Sequence, residues 1–136
     1  LFYNAPIWLV KLLDAGRNDR IKASVTLPTG ELVILSEKTL KHVKDSGRGI
    51  TERQILKTLQ SPVCIHQEGR PLKRARDKFV VSRYYMEPTG KAKIKRLIVH
   101  VKRCRKLLVF RVAYVSTALI SAKLPPDCKM IWGKEE

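Results

Sequence analysis

The sequence predicts an α+β domain in which two or three N-terminal helices pack on a four-stranded antiparallel sheet. Three observations lead there. Helix signals fall in the first half of the chain and strand signals in the second, the order expected when helices cover a sheet. Hydrophobic residues make up 44% of the 136 residues, enough to build one core. The apolar stretch Ile7-Trp8-Leu9-Val10 is broken by Lys11 and is too short to cross a bilayer.

The elements follow in order. Residues 5–15 read as an apolar helix ended by Gly16, and residues 17–20 as a polar connector. Residues 1–20 are therefore expected to form an N-terminal appendage to a single domain over 21–136. Ile21–Thr26 alternates, Pro28-Thr29-Gly30 is a turn, and Glu31–Leu35 is a second short strand, which together give a hairpin. Ser36 is a suitable N-cap for a helix from Glu37 to Lys44, with Leu40 and Val43 on its inner side and Gly47 and Gly49 ending it. Thr51-Glu52-Arg53-Gln54 fits a capping box, and Ile55, Leu56 and Leu59 give the helix it opens an apolar side. Pro62 closes that helix. The four sheet strands are expected at Val63–Gln67, Phe79–Met86, Ile94–Lys102 and Leu107–Thr117, with turns at Glu87–Gly90 and Arg103–Lys106. Ala118–Leu124 then leads to Pro125-Pro126 and a tail containing Trp132.

Charge narrows the class of partner. The chain carries 28 Lys+Arg against 12 Asp+Glu, a formal net charge of +16. A field of that size attracts phosphates or an acidic protein. It is also uneven. No Asp or Glu occurs between Pro88 and Pro126, a stretch that includes Lys91, Lys95, Arg96 and Arg111. A basic loop containing Arg74 and Arg76 precedes it. With Lys38 and Lys41 on the first capped helix, these cations are the expected RNA contacts, and they would give salt-dependent affinity without sequence readout. Tyr84, Tyr85, Phe110 and Tyr114 interleave with them and could stack bases.

Composition excludes several chemistries. The carboxylates are too few and dispersed for a two-metal nuclease. No phosphate-binding loop, nucleophile elbow or zinc-protease motif occurs. Cys64, Cys104 and Cys128 are too few for a disulfide framework, and Cys64 and His66 lack a second pair at zinc-site spacing. Neither metal nor cofactor is expected. Metal-free RNA cleavage asks only for a base, an acid and groups that meet the charge developing on phosphate. Among the histidines, His42 lies on a helix one turn after Lys38, whereas His66 and His100 lie inside strands and read as structural.

The order of these motifs resembles one family. A helix with His42, then Arg48-Gly49-Ile50-Thr51 and a second helix, then Arg83-Tyr84-Tyr85 on a strand, then Tyr114-Val115-Ser116-Thr117-Ala118, is similar to the Barnase–EndoU–colicin–RelE (BECR) superfamily of small RNase toxins, and most similar to its phage-borne and polymorphic-toxin branches. The resemblance covers about residues 33–120. It implies the four-stranded antiparallel sheet named above, metal-independent endoribonuclease activity on tRNA or mRNA, and neutralisation by an acidic immunity or antitoxin protein. It implies action in the cytoplasm of the producing or target cell, with no membrane partner, and delivery as part of a longer toxin. By the same resemblance, His42 is the general acid/base, Arg83 clamps the scissile phosphate, Tyr85 orients base or sugar, and Thr117 hydrogen-bonds the phosphate. The 21–35 hairpin and the N-terminal helix depart from the family's pattern. Two other readings fit the charge: a non-catalytic RNA- or DNA-binding module, and a domain that docks an acidic protein.

Overall fold

The computed structural model describes residues 20–68, 78–86, 94–103, 112–121, 123–124 and 128–134, with the backbone alone for 68, 78–86, 94, 95 and 103. Among the described residues the order is β1 (Ile21–Thr26), β2 (Leu32–Ser36), α1 (Glu37–Asp45), α2 (Glu52–Gln60), β3 (Cys64–Glu68), β4 (Lys78–Met86), β5 (Ile94–Arg103), β6 (Val112–Ser121) and β7 (Cys128–Gly133). The strands form one seven-stranded sheet in the order β1-β2-β6-β5-β4-β3-β7.

This corrects the expected architecture of helices on a four-stranded antiparallel sheet. The sheet is mixed, because β2 and β6 run parallel, and the two helices sit between β2 and β3 rather than ahead of the sheet. The reason lies in β2. Val33, Ile34 and Leu35 are all fully buried, so the strand has no water-facing side. A continuous apolar run of this kind belongs to a strand covered on both faces. β2 accordingly lies inside the sheet, with β1 on one side and β6 on the other. At the other end, the tail containing Trp132, for which no element was expected, adds β7 to β3. β6 begins at Val112 and continues to Ser121, past the expected end at Thr117. The expected helix at 5–15 and the turn at 87–90 fall outside the described residues, as does the turn expected at Arg103–Lys106 apart from Arg103, which ends β5.

Local chemistry sets both helices. Ser36 accepts the Thr39 amide at 3.2 Å, so β2 passes into α1 without a loop. Thr51 and Gln54 complete a reciprocal capping box at 3.2 and 2.9 Å, as the sequence predicts. Each helix has nine residues and is too short to persist alone; packing holds it. Leu40 and Val43 of α1, with Ile55 and Leu59 of α2, bury against Val33, Leu35, Ile65, Leu97, Val99, Val101, Val115 and Ala118 of the sheet. The opposite face is also buried toward the β1 end of the sheet, where Leu32, Ile34 and Val112 cluster with Ile21 and Tyr114.

Candidate functional site

The site begins where the parallel pairing stops. β2 is in register with β6 only from Leu32–Val112 to Ile34–Tyr114 and then turns into α1, while β6 runs on to Ser121. The carbonyls of β6 beyond that point need other donors. Arg48 supplies one: its Nη1 donates to the Ala118 carbonyl at 2.9 Å and to Thr117 Oγ1 at 3.3 Å.

Two glycines aim that side chain. α1 ends with the Ser46 amide donating to the His42 carbonyl and the Gly47 amide to the Lys44 carbonyl. Gly47 and Gly49, on either side of Arg48, both have φ of +71°, the left-handed region that costs a side-chain-bearing residue about 1–2 kcal/mol. A Cβ at either position would meet nothing within 4 Å, so the backbone conformation and not space calls for glycine. The chain thereby doubles back from α1 and lays Arg48 along the exposed end of β6.

A third group lies opposite. His100 on β5 is the register partner of Thr117 on β6. Directly opposed residues of an antiparallel pair share a face, with Cβ atoms about 5 Å apart. Both side chains are partly exposed. The register slips between His100 and Val101, so that Val115 and Thr117 oppose consecutive residues and Ser116 is the extra one. Such bulges re-aim neighbouring side chains and recur beside functional sites. A guanidinium is thus bonded to a hydroxyl whose strand partner across the sheet is an imidazole: a fixed cation for an anionic ligand, a hydrogen-bonding group and a proton carrier on neighbouring positions.

The expected site residues are distributed as follows. Thr117 is part of this cluster. His42 is exposed on α1, as are Lys38 and Lys41. Arg83 stands opposite Leu97, which itself pairs with Ile120, so its row crosses β6 three residues from Thr117. Tyr85 stands opposite Lys95. Arg96 is half-buried and pairs with Tyr84 and Ser121. Arg74, Arg76, Lys91 and Arg111 lie outside the described residues.

Two members of the cluster had no role in the sequence reading. Arg48 was only part of a motif, yet an arginine between two glycines after a helix end is a signal, because it does nothing for the cap. His100 read as structural, although it interrupts the apolar run Leu97-Ile98-Val99 and Val101. Among the described residues no group of three or more His, Cys, Asp or Glu side chains is placed to hold a metal ion. No described helix is long and apolar enough to cross a membrane. No protein-family model, curated protein or solved structure matches this chain.

Proposed function

We propose that the chain is a metal-independent endoribonuclease that cleaves RNA through attack of a 2′-hydroxyl on the adjacent phosphodiester. The observation that carries this reading is the bond from Arg48 to Thr117, the strand partner of His100, on a chain with a net charge of +16. In the reaction a base takes the 2′-hydroxyl proton, the 2′-oxygen bonds to phosphorus, and the bond to the 5′-oxygen breaks as an acid protonates it. The products are a 2′,3′-cyclic phosphate and a 5′-hydroxyl. Arg48 meets the charge that builds on the phosphate oxygens, and its existing bonds to β6 hold it in place beforehand. Thr117 adds a hydrogen bond to the same phosphate. His100 carries the proton at Thr117, and His42, assigned this work by the family resemblance, is the second imidazole. Arg83 and Tyr85 remain proposed as phosphate clamp and base contact on the same grounds. The acidic neutralising protein and the cytoplasmic site of action belong to this proposal too.

The test is incubation with total RNA in EDTA, comparing the intact chain with His100→Ala, His42→Ala and Arg48→Ala. The reading expects cleavage by the intact chain and a loss of about a hundredfold or more in Arg48→Ala, the scale of removing a donor to a developing oxyanion. Equal cleavage by all three variants would dismiss the site. A second reading, binding without cleavage, draws on one observation: Lys38, Lys41 and Lys44 are all exposed on α1. It expects salt-sensitive retention of RNA and no products.

A further inference from the structure

The edge of the sheet farthest from Arg48 carries a feature that RNA cleavage leaves unused. Among the described residues β7 has a strand neighbour only on its β3 side. Along it, Met130, Ile131 and Trp132 are 45%, 41% and 37% exposed, and they are the exposed large hydrophobic residues of the described chain. Consecutive large apolar side chains left in water on an unpaired edge mark a surface that another chain covers.

The strand is held firmly enough to serve as a platform. Its register with β3 runs from Glu68–Cys128 to Cys64–Gly133, and the Lys134 amide donates to the Val63 carbonyl at 3.4 Å. Gly133 makes that closeness possible, because a Cβ there would lie 2.2 Å from the Val63 oxygen.

Charge and register decide between occupants. A second copy is disfavoured. Two β7 strands paired antiparallel about the Ile131–Trp132 centre would set Lys129 directly opposite Lys134, and each molecule carries +16. The slip between Ile65 and His66 makes Ile131 an extra residue on β7. RNA is less suited, since Met130 and Ile131 offer no ring on which a base can stack. We infer that β7 docks an extended, acidic segment of another protein, its apolar side chains covering Met130, Ile131 and Trp132 and its carboxylates meeting the exposed Lys129 and Lys134. Asp127, Glu135 and Glu136 flank the strand in sequence and lie outside the described residues. β7 and β6 are four strand spacings apart, about 19 Å. A segment bound at β7 therefore leaves Arg48 and Thr117 uncovered, and the inference stands whether or not the chain cleaves RNA.

The experiment uses the full chain and three probes: a short synthetic peptide alternating Glu and Val, its counterpart alternating Gln and Val, and a single-stranded oligouridylate. Amide hydrogen exchange along β7 and fluorescence anisotropy of labelled probes are the readouts. The Glu/Val peptide is expected to slow exchange in β7, to bind more tightly than the Gln/Val peptide, and to lose about tenfold in affinity when Met130 and Trp132 are both changed to Ser. Arg48→Ala is expected to bind it unchanged. Exchange on the unsubstituted chain reports independently of how the variant folds. Unchanged β7 exchange under saturating Glu/Val peptide would overturn the inference. So would protection by the oligouridylate alone, which would make this an RNA surface. Concentration-dependent dimerisation abolished by Trp132→Ser would assign the edge to a second copy and overturn it equally.

Discussion

At the scale of single residues, Arg48 has two tasks that experiment can separate. Its bond to the Ala118 carbonyl closes the end of β6, and its bond to Thr117 brings positive charge beside a hydroxyl. Arg48→Lys keeps the charge but not the planar, multi-donor head. It is expected to retain most of the RNA affinity, measured by anisotropy, while losing most of the cleavage rate. Retention of both affinity and cleavage rate would mean that Arg48 contributes charge alone. Gly49→Ala is the complementary probe. With open space around the Cβ and φ at +71°, the substitution costs about 1–2 kcal/mol through the backbone only. It is expected to lower cleavage more than that small loss of stability explains, because the loop that aims Arg48 must rearrange. A melting curve beside a rate measurement checks this, and an unchanged rate would show that the aim of the loop is immaterial.

At the scale of elements, the sequence was most legible where short-range chemistry decides. Ser36 and the Thr51–Gln54 box announced both helix starts, since a cap depends on residues three apart. Thr51→Ala is expected to cost about 1 kcal/mol in denaturant unfolding, with little effect on RNA cleavage. β1, β4 and β5 were also readable as strands. What sequence could not settle was which strands become neighbours. The β2–β6 pair joins segments separated by two helices and three strands, and nothing local to Leu32–Ser36 names its partner. The hairpin read over 21–35 is present as the antiparallel β1–β2 pair, and the buried run Val33-Ile34-Leu35 is the signal that its second strand has a neighbour on its other side as well. β7 was missed because Cys128–Gly133 lacks an apolar–polar alternation; its place depends on the fit of Gly133 against Val63. Gly133→Ala is expected to speed amide exchange along β7 while leaving β5 and β6 protected. Uniform change across the sheet would show that β7 is not a separable edge.

The same limit governed the site. Thr117 was named from the sequence because it closes a recognisable motif, whereas Arg48, which bonds it, and His100, its strand partner, come from a loop and another strand. Their convergence is a product of register, and the bulge at Ser116 has no signature in the residue string.

At the scale of the whole molecule, the charge of +16 sets a long-range field that attracts phosphates. RNA affinity is expected to fall linearly with salt on logarithmic axes, with a slope of about −0.7 for each phosphate neutralised on a single strand. Replacing Lys38, Lys41 and Lys44 together by Gln is expected to flatten that slope if α1 lies along the RNA backbone. An unaltered slope would move the RNA path off α1. The exposed apolar edge at β7 lies four strands from β6, so the two proposed sites are separate on the sheet.

The chemistry of the RNA ends tests the central claim most directly. Single-turnover cleavage of a defined oligonucleotide in EDTA should yield fragments ending in 2′,3′-cyclic phosphate and beginning with 5′-hydroxyl, and Arg48→Ala should suppress both together. Intact RNA after prolonged incubation, or fragments bearing 3′-hydroxyl and 5′-phosphate ends, would contradict attack by the 2′-hydroxyl at Arg48 and Thr117.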